Sequence, residues 1–324
     1  MKAYVLKEAG GIQNLQLTEL PIPNPRRDEV LIKVKAISIN PVDFKTRAGF
    51  ALYDSLKDID PLILGWDISG KVISAGSEVT TFKIGDEVFG MINFPGHGAG
   101  YAEYVVAPAD HLALKPAGIT HAEAAAATLA ALTAWQALTV HTKAKSGSQV
   151  LIHAASGGVG HYAVQIASHL GAEVTGTSSG ANRKLIKELG ATFHIDYQQQ
   201  QFEKLSTKYD IILDALGGDH FLRSLEAVKK NGTVINLIPD PQAAHETYPD
   251  SQSTLGIAAE KGINAVYFPV TSSGKDMEAI ARLLENGILR SHISKTFDFE
   301  ELPQAHAYME PGRTVGKVVV LLNG

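Results

Sequence analysis

The sequence predicts an α/β protein in which a doubly wound parallel sheet is joined to a second, β-rich domain. Three observations carry this expectation. Residues 149–270 alternate short apolar strands with helices, and the first of those strands runs into a glycine-rich turn, "AASGGVG", that opens a helix. Residues 1–115 show β-type runs and few helices. Strand–helix alternation at this spacing is what builds a parallel sheet with helices on both faces.

The elements follow in order. "EVLIKVKAI", "DISGKVISAG", "DEVFGM" and "YAEYVVAP" are short β-rich runs separated by Gly, Pro, Asn and Asp, as in a small all-β domain. From Gln149 the pattern changes. "QVLIHAA" precedes a helix over about 158–170, and "AEVTGTS" one over about 180–189. "ATFHID" and "DIILDAL" follow, then a helix near 219–230, "GTVINLI" and "NAVYFPV", which makes six strands in all. A last helix, "KDMEAIARLLENG", leads into "HISKTFDF" and "GKVVVLL", β structure that returns to the first domain. The expected division is therefore 1–122 with 271–324 for the β-rich domain, and 123–270 for the dinucleotide domain. "HAEAAAATLAALTAWQALTV", residues 121–140, is about long enough to span a bilayer. Glu123 and several threonines argue instead for a small-residue helix buried between layers.

Composition narrows the function. A chain of 324 residues exceeds the usual single-core size, and 45% hydrophobic with 19% charged residues is ordinary for a globular protein. The net charge is −5, with 29 basic residues scattered among 34 acidic ones, so no basic stripe offers itself to nucleic acid or an anionic membrane. There is no cysteine, which removes disulfides, thiolate nucleophiles and every cysteine-containing zinc site. The twelve histidines lack ligand spacing, so no metal is expected. "MKAYVLKEAG" reads as a strand, not as a signal peptide, and the cytoplasm is the expected compartment.

The glycine-rich turn carries the chemistry. Aligned with GxGxxG it is Ala155, Ser156, Gly157, Gly158, Val159 and Gly160, with alanine in place of the first glycine. Such a turn lets a pyrophosphate approach the backbone at a helix N-terminus, where unpaired N–H groups favour negative charge; otherwise it is a packing turn. About 20 residues on, where NAD-binding folds usually place an acid, stand Thr177, Ser178 and Ser179. Arg183 and Lys184 lie close enough to neutralise a 2′-phosphate, or else begin a solvated helix. The expected cofactor is NADPH.

Together "GKVISAGSEVTTFKIGDEVFG", "GYAEYVVAP", "LTAWQAL", "AASGGVG" and "GKVVVLL" resemble the medium-chain dehydrogenase/reductase superfamily along essentially the whole chain. Within it the sequence is similar to the zinc-independent quinone oxidoreductase branch, which includes zeta-crystallin. The resemblance implies a Rossmann domain and a GroES-like catalytic domain. It also implies that the zinc ligands of the alcohol dehydrogenases are replaced here by Asn40, Trp66 and Leu129, which cannot hold zinc as cysteine and histidine do. Without a Lewis acid, alcohol oxidation loses its main support, and reduction of a quinone or α,β-unsaturated ketone remains.

Asn40 is the first catalytic candidate: its amide donates to the developing oxyanion or the nicotinamide ribose, or else forms an Asx turn before Pro41. Asp43 and Lys45 follow on the same segment, Asp43 as a support and Lys45 in place of a tyrosine carried by some quinone reductases. Further cofactor contacts implied by the resemblance are Thr133 at nicotinamide, Tyr197 near the 2′-phosphate, Gly217 and Ile238 after their strands, and Gly316 with Lys317 closing the cleft from the tail. "MINFPGHGAG", residues 91–100, is expected to cover the substrate pocket, with His97 either a general acid or a solvated side chain. "INAVYFPV", the final strand of the parallel sheet, leaves an apolar edge through which relatives dimerise. The expectation is a homodimeric NADPH-dependent reductase of quinones or enones. The rival is a non-catalytic NADPH-binding sensor or crystallin-like protein on the same fold.

Overall fold

A computed structural model of the chain describes residues 1–238 and 251–322, divided between two units, Met1–Leu132 with Thr271–Gly324 and Thr133–Val270. The first boundary falls beyond the expected break at 122/123, because the helix at His121–Ala126 packs on strands of the first unit.

In the first unit, Lys2–Leu6 (β1) and Leu15–Glu19 (β2) form an antiparallel pair. The main sheet is built on Glu29–Ile39 (β3), whose apolar run is buried at nearly every position. Its other strands are Asp67–Ala75 (β4), Glu87–Met91 (β5), Tyr104–Pro108 (β6) and Ala113–Leu114 (β7), joined by the tail strands below. The second unit holds Gln149–Ile152 (β8), Glu173–Ser178 (β9), Phe193–Asp196 (β10), Tyr209–Asp214 (β11), Val228–Asn236 (β12) and Asn264–Tyr267 (β13). Ile293–Asp298 (β14) and Lys317–Leu321 (β15) then return to the first unit, as expected from the tail. The order there is β14-β15-β3-β4-β5-β7, with β6 also on β3. The second sheet runs β10-β9-β8-β11-β12-β13 and every pairing in it is parallel, with β13 at one edge.

The helices are Pro41–Arg47 (α1), Tyr53–Leu56 (α2), His121–Ala126 (α3), Leu129–Trp135 (α4), Gly160–His169 (α5), Arg183–Glu188 (α6), Asp219–Ala227 (α7), Ser251–Glu260 (α8), Gly274–Glu285 (α9) and Leu302–Met309 (α10). Thr120 caps α3, accepting from the Glu123 N–H at 3.2 Å while the Glu123 carboxylate accepts from the Thr120 N–H at 2.8 Å. Ala125 and Ala126 lie against Ala36 and Val319, and it is their small side chains that let α3 sit down on the sheet. The single helix expected over 121–140 is broken at Ala127–Thr128 and ends as a π-helical segment, Gln136–His141. No helix among the described residues is long and apolar enough to cross a membrane. Helix α9 shows the stripe a surface helix needs: Ser273 caps it, and Met277, Ile280, Leu283 and Leu284 are buried.

Candidate functional site

The glycine-rich turn is shaped by close backbone packing. A Cβ on Gly160 would lie 2.2 Å from the Ala154 carbonyl oxygen and 2.7 Å from the Ala155 Cα, so α5 starts directly over the end of β8. A Cβ on Gly157 would meet the same carbonyl at 3.1 Å. The left-handed residue of the turn is Ala154, at φ 48°. Alanine is tolerated at 155 because β9 yields space: a Cβ on Gly176 would come within 2.9 Å of the Ala155 Cβ. Gly158 and Val159 complete the turn, and Ser156 accepts a hydrogen bond from Asn182 Nδ2 at 3.1 Å. Glycine at 157 and 160 thus lets the turn pack closely on itself, with the Gly157 N–H donating to the Ala154 carbonyl at 2.8 Å.

At the ends of β9 and β10, Arg183 and Tyr197 are exposed, and the Tyr197 N–H donates to the Ser178 carbonyl at 3.2 Å. Ser178 departs from expectation. It is 3% exposed, and its hydroxyl is bonded to the Ser179 carbonyl at 2.8 Å and to His194 Nε2 at 2.9 Å, so β10 rather than solvent satisfies it. Asp196, overlooked in the sequence, puts its Oδ2 2.6 Å from where a Gly180 Cβ would stand, so this end is not free of carboxylates. Farther along the sheet, Gly217 (φ 68°) and Ile238 come together, with Ile238 Cβ 3.4 Å from a Cβ built on Gly217. The Asp214 carboxylate holds this turn by accepting from the Leu216 and Gly217 N–H groups at 2.8 and 3.1 Å. Thr133 is 6% exposed on α4.

The second cluster lies wholly within the first unit, and strand register assembles it. β3 pairs with β15 through Ile39↔Val318 and with β4 through Ser38↔Asp67, so Asn40, Lys317 and Asp67 converge at one end of β3. Asn40 Nδ2 donates to Asp67 Oδ2 at 2.7 Å, and Lys317 Nζ donates to Asn40 Oδ1 and, at 3.2 Å, to the Ile39 carbonyl. The ammonium also lies 3.6 Å from Asp67 Oδ2. Asp67 Oδ1 accepts the Leu129 N–H at 2.9 Å, which explains the helix break: the carboxylate captures the first turn of α4. Asp43, third in α1, accepts the Asn40 N–H at 2.5 Å. Asn40 is also the N-cap of α1, in a capping box with Asp43, so its side chain serves the local turn as well as facing the charges.

All four side chains are at most 2% exposed. Burial pushes the Asp67 carboxyl up, opposed by Lys317 and by its hydrogen bonds, and pulls the Lys317 ammonium down against the two carboxylates. Asp43 is pushed up to about 8, chiefly by burial, with the Asn40 N–H opposing. Its Oδ1 has no hydrogen-bond partner that meets good geometry, although the Tyr101 hydroxyl faces the carboxyl. That hydroxyl pairs at 2.9 Å with His306 Nε2, and burial drives His306 down to about 3, so the imidazole is neutral.

Other sequence-selected residues lie on or beside these elements. Lys45, half-buried on α1, has no side-chain bond into this cluster. Lys317, expected to close the cleft from the tail, is buried with Asn40 and Asp67. Gly316 serves the backbone: at φ 73° a Cβ would lie 2.1 Å from the His292 carbonyl oxygen. In the loop 91–100, Phe94 packs edge-on against Trp66 with ring centres 5.7 Å apart, and the Trp66 indole donates to the Gly96 carbonyl at 2.8 Å. His97 is neither a solvated side chain nor placed as an acid. Its Nε2 accepts the Ile63 N–H at 3.2 Å, and burial lowers its pKa. Asp67, Tyr101 and His306 were missed. Only Asp67 left a signal, a carboxylate opening the apolar run "GWDISG".

Comparison with known proteins places these units in a family context. Residues 26–117 match the alcohol dehydrogenase GroES-like domain, and residues 189–320 a zinc-binding dehydrogenase domain. The 2-methylene-furan-3-one reductase of Solanum lycopersicum is 34% identical, over 99% of this chain and 79% of that protein. The NADPH-dependent alkenal/one oxidoreductase of Arabidopsis thaliana, a chloroplast protein, is 33% identical over the same shares. Among solved structures, the quinone oxidoreductase from Coxiella burnetii superposes with a TM-score of 0.91 at 35% identity, covering 100% of this chain and 99% of that one. The zinc named by one of these domains does not fit the residues present. Asn40 is committed to Asp67 and Lys317, Trp66 to Gly96, and Leu129 is apolar. Among the described residues no three His, Cys, Asp or Glu side chains converge as ligands.

Proposed function

Because this chain belongs to the medium-chain dehydrogenase/reductase superfamily, in its quinone oxidoreductase-like branch, we propose that it is a zinc-independent reductase using NADPH to reduce quinones or α,β-unsaturated carbonyls. The observation that carries this reading is the Asn40 cluster. A buried ammonium stands beside Asn40 and Asp67, and among the described residues no three His, Cys, Asp or Glu side chains converge as ligands, which supports a reaction without zinc.

NADPH, when bound, supplies the hydride. The chain supplies the rest. The N–H groups at the start of α5, which Gly160 opens, would receive the pyrophosphate, and Arg183, exposed at the start of α6, would face the 2′-phosphate. Asp214 fixes the Gly217 turn, which with Ile238 would line the nicotinamide side. Hydride addition to an enone or quinone leaves negative charge on the acceptor oxygen, and Asn40 Nδ2 donates to it; water returns the proton. A homodimer formed through the exposed edge of β13 and a cytosolic setting, consistent with the lack of cysteine, complete the reading. Steady oxidation of NADPH with a panel of quinones and enones tests it. Binding of NADPH without turnover of any acceptor would leave a non-catalytic cofactor-binding protein.

A further inference from the structure

Lys317 sits inside the first unit, 2% exposed like Asn40, and its ammonium touches Asn40 Oδ1, the Ile39 carbonyl and the Asp67 carboxylate. An asparagine side chain presents an acceptor at one end and two donors at the other, and the two ends differ little in shape. Left alone, Asn40 could turn either end outward. Here its orientation is dictated by charge. The oxygen faces an ammonium, which can only donate, and the nitrogen faces a carboxylate, which accepts. Reversing the amide would set Nδ2 against the ammonium and Oδ1 against the carboxylate, two repulsive contacts in a buried setting where such mispairing is costly. One Nδ2 hydrogen is used by Asp67, and the second is not bonded among the described residues.

We propose that Lys317 is the positioning residue of this site: its ammonium locks the Asn40 amide so that a donor, and never an acceptor, is presented to the acceptor oxygen of the substrate. This rests on the reductase reading for the identity of that substrate, but the lock itself does not. Lys317 reaches no reacting atom; it acts through Asn40. Its contribution to rate is therefore the contribution of Asn40's donor, which for a donor to a developing oxyanion is about 10²- to 10³-fold in kcat.

The test compares Lys317→Met with Lys317→Gln. Both remove the charge, but only glutamine can still donate to Asn40 Oδ1. In K317M, kcat per folded, NADPH-saturated molecule is expected to fall by about 10²-fold with the acceptor KM little changed, since the loss lies in the transition state. K317Q should recover at least about tenfold of that loss, and the NADPH Kd should be the same in both as in the unaltered enzyme. A K317M enzyme with unchanged kcat overturns the proposal. So does a loss expressed as weaker NADPH binding, which would make Lys317 a cofactor contact after all. Should K317M fail to fold, the Asn40 side-chain NH2 signals of the unaltered protein decide by nuclear magnetic resonance. One proton shifted downfield by Asp67 and slow to exchange with water is expected; two protons at ordinary asparagine shifts that exchange freely with water refute the lock. That same measurement stands if the protein reduces no quinone or enone, so failure of the reductase reading and failure of the lock are read separately.

Discussion

Replacing Asp43 by asparagine offers a stringent check on the electrostatics of the buried cluster. The carboxyl is 0% exposed and is held at about 8 against an ordinary value of 3.8, a displacement of about four units. Between those values the folded chain keeps a proton that the unfolded chain has released. Stability must therefore fall as pH rises from about 4 to about 8 and level off above, a total of about 6 kcal/mol at 1.36 kcal/mol per unit. Asparagine imitates the neutral carboxyl: its oxygen can accept the Asn40 N–H, and its NH2 group can face the Tyr101 hydroxyl. Asp43→Asn should thus be close to neutral near pH 5. Relative to the unaltered protein it should then gain about 4 kcal/mol between pH 5 and pH 8. Urea unfolding of both proteins at half-unit intervals reads the difference directly, and Asp67 and Lys317, present in both, cancel to first order. Parallel pH profiles would show that Asp43 is ionised in the folded state, and the assignment of the neutral carboxyl would be wrong.

Other consequences can be checked with less effort. Arg183→Ala should weaken NADPH by about 1.5–3 kcal/mol and leave NADH unaffected, as calorimetry with both cofactors would report; equal losses would remove Arg183 from the 2′-phosphate site. Gly160→Ala drives a methyl group into the backbone of Ala154 and Ala155 and should cost about 1–3 kcal/mol of stability together with NADPH affinity, measurable by thermal melts and cofactor titration. Elemental analysis should find no stoichiometric zinc, and chelators should leave NADPH oxidation unchanged; one zinc per chain would contradict the reading of Asn40, Trp66 and Leu129. Light scattering at micromolar concentration should give the mass of two chains, and a monomer would reject pairing through β13.

The parallel sheet was legible because its signals are local. Each apolar run from "QVLIHAA" to "NAVYFPV" became a strand, in the order of a doubly wound sheet, and the glycine turn fell between β8 and α5. The helices of the first unit were less visible, although two carried readable starts. Asn40-Pro41 with Asp43 three residues after the cap is the signature of a capped first turn with proline at N1, and "DFEELPQ" opens α10 in the same manner. Both were absorbed into a β-rich expectation. The break in "AAAATLAAL" could not have been foreseen from propensity, since alanine and leucine favour a continuous helix. What interrupts it is a carboxylate 62 positions earlier, Asp67, taking the Leu129 N–H.

That long-range capture shows why the site itself was only half legible. Asn40 was identified from its segment, but its partners were not, because "GWDISG" and "GKVVVLL" each look like an ordinary strand with a polar residue at one end. Neither residue carries a motif. Their meeting depends on two registers, Ser38↔Asp67 and Ile39↔Val318, that place the starts of β4 and β15 on either side of the end of β3. A slip of one residue in either pairing would turn Asp67 or Lys317 to the opposite face of the sheet. Asn40 would then be left with a single charge and no fixed orientation. The chemistry proposed here is therefore written in the apolar pattern that sets strand register as much as in the asparagine. Substitutions in β3 or β15 that disturb pairing without touching Asn40 should lower kcat along with stability, whereas surface substitutions of equal cost on α9 should lower stability alone. Equal kcat losses in the two sets, per folded molecule, would uncouple register from catalysis.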